Sequence, residues 1–310
     1  MNNPDIRLLV ALILGLCVPG AASAGPAGDV NAALQRGDYA AAAPMLHELS
    51  QQGMPEAQHN LARLYREGRG VPQDYEAAVD WYGRAAAQGF VLSQATLGFM
   101  YFYGDGVRRD YGEAARWYTS AAGNGDVPAQ VNLGWMYATG NGVPQDHAAA
   151  AKWYRSAADQ GNAVAQTNLA NLLATGTGVG KNLAEAAALY RLAAEQGSAG
   201  AQRMLGNFHA TGQAVTQDHA EAAKWYARAA QQGDAEAENN LGVLYLNGDG
   251  VPEDRLEAHK WFNLAAAQGH ETAMKNRDLA AGSMTPAEIA EAQRRAREWH
   301  SREASNAATD

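Results

Sequence analysis

Ala129, Leu133, Gly134 and Tyr137 fall at spacings that share one side of a helix, so small and apolar positions there predict a buried helical face. Gly140-Asn141-Gly142 breaks that helix, and Val143-Pro144-Gln145-Asp146 leads into a second one, running through Ala158. Asp146 is placed as its N-cap, because a carboxylate there accepts the free N–H groups of the first turn. Gly161 is placed to end it in the left-handed conformation that glycine adopts most readily. Ala129, Gly134, Ala150 and Ala157 allow close helix approach, while Trp153 and Tyr154 fill the space between layers. The pattern therefore predicts a helix–turn–helix unit.

That unit recurs every 36 residues without a gap. Leu61, Leu97, Leu133, Leu169, Leu205 and Leu241 form one column, and Gly68, Gly104, Gly140, Gly176, Gly212 and Gly248 form another. Trp81, Trp117, Trp153, Trp225 and Trp261 form a third, with Leu189 in the remaining place. A fixed period of this size predicts stacked units that bury their apolar faces only against one another. It points to an extended surface rather than a single pocket.

The run Ala129-Gln130, Leu133-Gly134, Tyr137, Gly140-x-Gly142-Val143, Asp146, Trp153-Tyr154, Ala157-Ala158, Gly161 resembles the Sel1-like repeat, a relative of the tetratricopeptide repeat. The resemblance covers six full units, residues 57–272, and implies an all-α fold, a right-handed α-solenoid. It also implies a scaffold that recruits other proteins, with no cofactor. Residues 25–56 read as a degenerate first repeat with a short helix from Asp29, and 273–300 as capping helices. Thr285-Pro286 gives the last helix a cap and a first-turn proline, and 301–310 is expected to be a disordered tail.

Two units depart from the pattern. In the fourth, Leu173 replaces tyrosine, Leu189 tryptophan, Gly180 proline and Asn182 aspartate; in the fifth, His209 replaces tyrosine and Ala214 the second turn glycine. Neutral drift and a weak seam in the stack are both open readings.

The first helices of such a fold line its concave side. The stripe through Val131, Trp135 and Ala138, offset from the buried columns, is expected to face that groove in every unit. Most of its positions are unremarkable, but Phe99, Phe102 and Trp135 are aromatic where the repeat does not require it. With Arg63 and Arg66 on one side and Asn171 on the other, they form the expected partner-binding site: an aromatic centre with a polar rim. The other open reading has these rings packed inward as additional core.

Residues 1–24 differ in kind. Arg7 precedes the apolar run Leu8–Leu14, and Ala22-Ser23-Ala24 supplies a cleavage pattern, so a cleavable signal peptide and a periplasmic or secreted destination are expected. Lipidation at Cys17 is the less favoured reading, because bulky Leu16 precedes it. The run is too short for a membrane span, which takes about 20 residues. Cys17 is the chain's sole cysteine and the formal net charge is −9, so neither disulfides nor bulk attraction to nucleic acid or anionic membrane is expected.

Enzyme motifs are missing. There is no His-Glu-x-x-His, Gly-x-Ser-x-Gly, Ser-x-x-Lys or Walker-type loop, and His147 and His219 lie two repeats apart, too far to share a metal. Asn247-Gly248-Asp249-Gly250 resembles a calcium loop, but Val251 falls where an oxygen ligand is needed. The expected function is a monomeric, non-catalytic scaffold of the bacterial envelope that binds a protein or peptide in its groove. A cell-wall or β-lactam-related hydrolase and a purely structural envelope component are the alternatives.

Overall fold

The computed structural model describes residues 26–306, so the expected signal peptide and Cys17 lie outside the described residues. Sixteen α-helices and no strand occur among the described residues, making the fold an all-α repeat solenoid. None of these helices is long and apolar enough to cross a membrane. The chain divides into two compact units after Gln160. In the first, α1 (Pro26–Gln35) and α2 (Tyr39–Gln51) precede three helix pairs. These are α3 (Pro55–Glu67) with α4 (Tyr75–Ala87), α5 (Val91–Tyr103) with α6 (Tyr111–Gly123), and α7 (Val127–Thr139) with α8 (His147–Ala158). The second holds α9 (Ala163–Thr175) with α10 (Leu183–Glu195), α11 (Ala199–Thr211) with α12 (His219–Ala230), and α13 (Ala235–Asn247) with α14 (Arg255–Ala267). It ends in α15 (Glu271–Ala281) and α16 (Pro286–Asn306).

Each pair is closed by the same local chemistry. Glycines 68, 104, 140, 176, 212 and 248 end the first helices in the left-handed conformation. The next cap residue then ties the turn at both its groups. Asp146, for example, donates its N–H to the Tyr137 carbonyl at 2.9 Å while its carboxylate caps α8. Asn182 departs from aspartate in identity but not in role, since its Oδ1 accepts the Glu185 N–H at 3.1 Å. In the same drifting repeat Leu173 and Leu189 are both buried and fill the columns of the missing aromatics.

Packing between helices rests on two further devices. The ring of Tyr118 lies flat against α5, so close that a Cβ on Gly98 would sit 2.5 Å from it; Gly134 with Tyr154, Gly206 with Tyr226 and Gly242 with Phe262 repeat the arrangement. The second device is a buried glutamine ladder. Gln130 donates from Nε2 to the Ala122 carbonyl at 3.1 Å and accepts at Oε1 from Gln160 at 2.9 Å. Gln58 with Gln88 and Gln202 with Gln232 do likewise, and Gln196 donates to Gln166. One rung is broken. Gln94 meets Asn124, whose shorter side chain turns back to the Ser120 carbonyl, leaving the Gln94 Oε1 buried and unpartnered. An orphaned buried acceptor costs about 1–3 kcal/mol. Asn124→Gln should therefore raise stability by about 1 kcal/mol in urea unfolding, and an unchanged midpoint would show that this rung is not strained.

Ala214 is the only non-glycine residue with a positive φ among the described residues, at 60°. An L side chain in that region costs about 1–2 kcal/mol. Ala214→Gly is expected to recover about 1 kcal/mol, read as a raised melting temperature.

The C-terminal cap runs further than its sequence suggested. α16 continues to Asn306 rather than ending near Ser301, because Glu291, Arg294, Arg295 and Glu298 pair along it and no breaker intervenes. It packs on α14, with Trp299 edge-on to Trp261 at 5.0 Å and Arg295 bonded to Glu257 at 3.0 Å. Residues 307–310 lie outside the described residues.

Candidate functional site

In the first unit, α3, α5 and α7 stand side by side and carry five of the six expected site residues. Phe102 is the root of the cluster: it packs on the core beside Tyr118 and Tyr137 and meets Trp135 at 5.4 Å between ring centroids. Around it, Tyr103 lies 4.8 Å from Phe102 and 4.6 Å from Phe99, and Tyr111 lies 5.3 Å from Phe102. Trp135 and Tyr103 keep 38% and 41% of their surface exposed, although both are large and apolar. The two readings of these aromatics thus apply to different rings: Phe102 and Phe99 are half-buried, with Phe102 packed against the core, while Tyr103 and Trp135 face solvent.

The stripe itself needs a correction. Its first position was expected to face the groove in every unit, but Ala95, Val131 and Asn239 are buried. Thr167 and Arg203 at the same position stay half-buried, whereas in these three units the first turn tucks beneath its neighbours. The equivalent His59 shows how. Its ring stacks against Tyr82 at 5.2 Å and Phe90 at 5.4 Å, and its Nδ1 is 2.9 Å from the Ser93 hydroxyl. Burial, helped by the charges of Arg63 and Arg66, lowers the His59 pKa to about 4. At neutral pH this imidazole is uncharged.

The two arginines differ. Arg66 is fully engaged: its Nε is 2.9 Å from an Asp105 carboxylate oxygen and its guanidinium lies 5.9 Å from the Phe99 ring centre. Arg63 has no ion pair or hydrogen bond among the described residues, and its Nε is buried. Asn171 belongs to the second unit, where it is exposed and accepts a hydrogen bond from the Tyr190 hydroxyl at 2.6 Å.

The second unit's stripe has a different character. Asn207 accepts from Tyr226 at 2.7 Å and from Asn240 at 3.3 Å, and Asn276 donates to Asn239 at 2.9 Å. Arg203 is held by Asp234 and Glu236. Polar groups there largely satisfy one another, whereas the first unit exposes aromatic surface beside an unpaired cation. Tyr103 was missed by the stripe argument. Its column holds Glu67, Thr139, Thr175, Thr211 and Asn247 elsewhere, so an aromatic residue there is a visible departure.

Among the described residues no group of three or more histidine, cysteine, aspartate or glutamate side chains is arranged to hold a metal. The buried tyrosines 82, 118, 154, 190 and 226 all have raised pKa values, with burial the leading cause in each. Their rings are packing elements of the repeat rather than a reacting set.

Six consecutive segments match the family model described as the Sel1 repeat: residues 55–90, 91–126, 127–162, 163–198, 199–234 and 235–270. Among solved structures, the chain is similar to c5321, a protective antigen of uropathogenic Escherichia coli strains displaying an SLR fold. Identity is 33% and the TM-score 0.80, over 91% of this chain and 61% of that one. The chain thus spans less than two thirds of that relative's length. It is also similar to a Sel1 repeat protein from Oxalobacter formigenes, at 33% identity and a TM-score of 0.64, over 81% of this chain and 76% of that one. No curated protein matches the chain.

Proposed function

Because the chain belongs to the Sel1 repeat family, whose members generally act as protein-interaction scaffolds, we propose that it is a non-catalytic adaptor holding a protein or peptide partner on the α3–α5–α7 face. The observation that carries this reading is the exposed aromatic rim, Tyr103 and Trp135, around a Phe102 anchored in the core. Large exposed aromatics on a rigid support are what a binding hot spot needs, since little ordering entropy is lost when a partner covers them. We further propose that the adaptor works in the bacterial cell envelope as a monomer; the apolar run Leu8–Leu14 and the Ala22-Ser23-Ala24 pattern support export.

Capture from an envelope extract tests this. Wild type and Lys152→Ala, a change on the exposed side of α8, should retain the same partner. Phe99→Ala combined with Trp135→Ala should lose it while keeping helical content and a cooperative melt. Equal capture by the double variant would refute the reading, and so would its unfolding, which would make these rings core.

A further inference from the structure

Arg63 stands out among the arginines of the first helices. Arg66 has Asp105 and Arg203 has Asp234 and Glu236, but Arg63 has a buried Nε with no acceptor and no described acidic group paired to its guanidinium. Glu67, on the same helix, is taken by Arg69 at 3.3 Å. His59, the polar side chain one turn earlier, is neutral and supplies no counter-charge. A net positive group is therefore left beside an aromatic shelf on a chain whose overall charge is −9. The N–H groups of its two terminal nitrogens, which unlike Nε are not buried, fit the two oxygens of a carboxylate, the anion a guanidinium binds most selectively by geometry.

We propose that this face reads an extended peptide bearing an aspartate or glutamate two residues away, on either side, from an aromatic or aliphatic side chain. This rests on the reading of the face as a binding surface. The carboxylate pairs with Arg63, and the apolar side chain lies on Phe99 and Tyr103. Neighbouring helices are about 8–10 Å apart, and alternate side chains of an extended strand lie about 7 Å apart on one side. A side-chain carboxylate at one position and an apolar group two residues away therefore reach α3 and α5 together. A further apolar residue would continue onto Trp135.

A random dodecapeptide library displayed on phage and selected on the purified full chain tests this. Selected peptides should carry Asp or Glu at a spacing of two residues from an apolar side chain, in one consistent direction. For a synthetic peptide from that pool, Arg63→Met and Glu→Gln in the peptide should each weaken binding about tenfold, and the two changes together should cost no more than either alone. Enriched peptides without the acidic preference, or with a preference that survives Arg63→Met, would overturn this ligand chemistry yet leave the binding face standing. Enrichment of phosphorylated or C-terminal anions alone in matched synthetic peptides would also overturn it. No enrichment on the wild type, or peptides indifferent to Phe99→Ala with Trp135→Ala, would overturn the binding face itself.

Discussion

Gly142→Ala should destabilise the chain by 3 kcal/mol or more, on the order of the sum of a strained backbone and an overpacked contact. Gly142 has φ 74°, where an alanine is strained whatever surrounds it. A Cβ built there would also lie 2.2 Å from the carbonyl oxygen of Tyr111 and 2.4 Å from its carbonyl carbon. Tyr111 opens α6 in the preceding repeat, so these are backbone atoms that yield only if the two repeats move apart. Gly125→Ala is the matched control. It too has a positive φ, 90°, but opens on empty space, so it should lose only about 1 kcal/mol. Thermal unfolding of the two variants separates strain from contact. Equal losses would show that the turn does not bear on the repeat before it. Ala214 occupies the same column as Gly142 with its φ at 60°, so in the fifth repeat the turn accommodates a side chain that the turns at Gly70, Gly106, Gly142 and Gly250 exclude.

Acid should destabilise the first unit through His59. In the unfolded chain this histidine takes up its proton near 6.5, and in the folded chain only near 4. Between those values the unfolded state holds more protons, so stability falls as pH falls across that window. The lost stability is about 2–3 kcal/mol by pH 4, allowing for the ring's residual contact with water. His59→Gln keeps a group able to bond Ser93 and removes the titration. Urea unfolding at pH 7.5 and 4.5 should show a smaller drop for the variant than for the wild type. Matching drops would show that His59 is accessible enough to protonate without cost.

Much of the fold is legible in the sequence because each repeat carries its own start and stop signals. The Asp caps and left-handed glycines act within a few residues, and even Asn182 keeps the capping bond that aspartate makes elsewhere. What escaped reading depends on partners far along the chain. Gln58 bonds Gln88, and the broken rung at Gln94 is visible only once Asn124 is known to lie opposite it. Likewise, helical spacing placed Ala95, Val131 and Asn239 on the groove side, but neighbouring repeats cover them. The aromatic site was legible in the opposite way, as residues the repeat pattern does not explain. Tyr103 was overlooked because it falls at the helix end, outside the stripe, although its ring links Phe99 to Phe102. Arg63 was legible as a cation but not as an unpaired one, since pairing is decided by turns such as the one holding Asp105.

Site-specific photo-crosslinking in the source cells tests the central claim most directly. A benzophenone amino acid in place of Tyr103 or Trp135 should give the same discrete adduct on irradiation, and one in place of Lys152 should give none. Adducts from position 152 matching those from 103, or none from either aromatic position, would contradict the assignment of the α3–α5–α7 face as the place where this scaffold holds its partner.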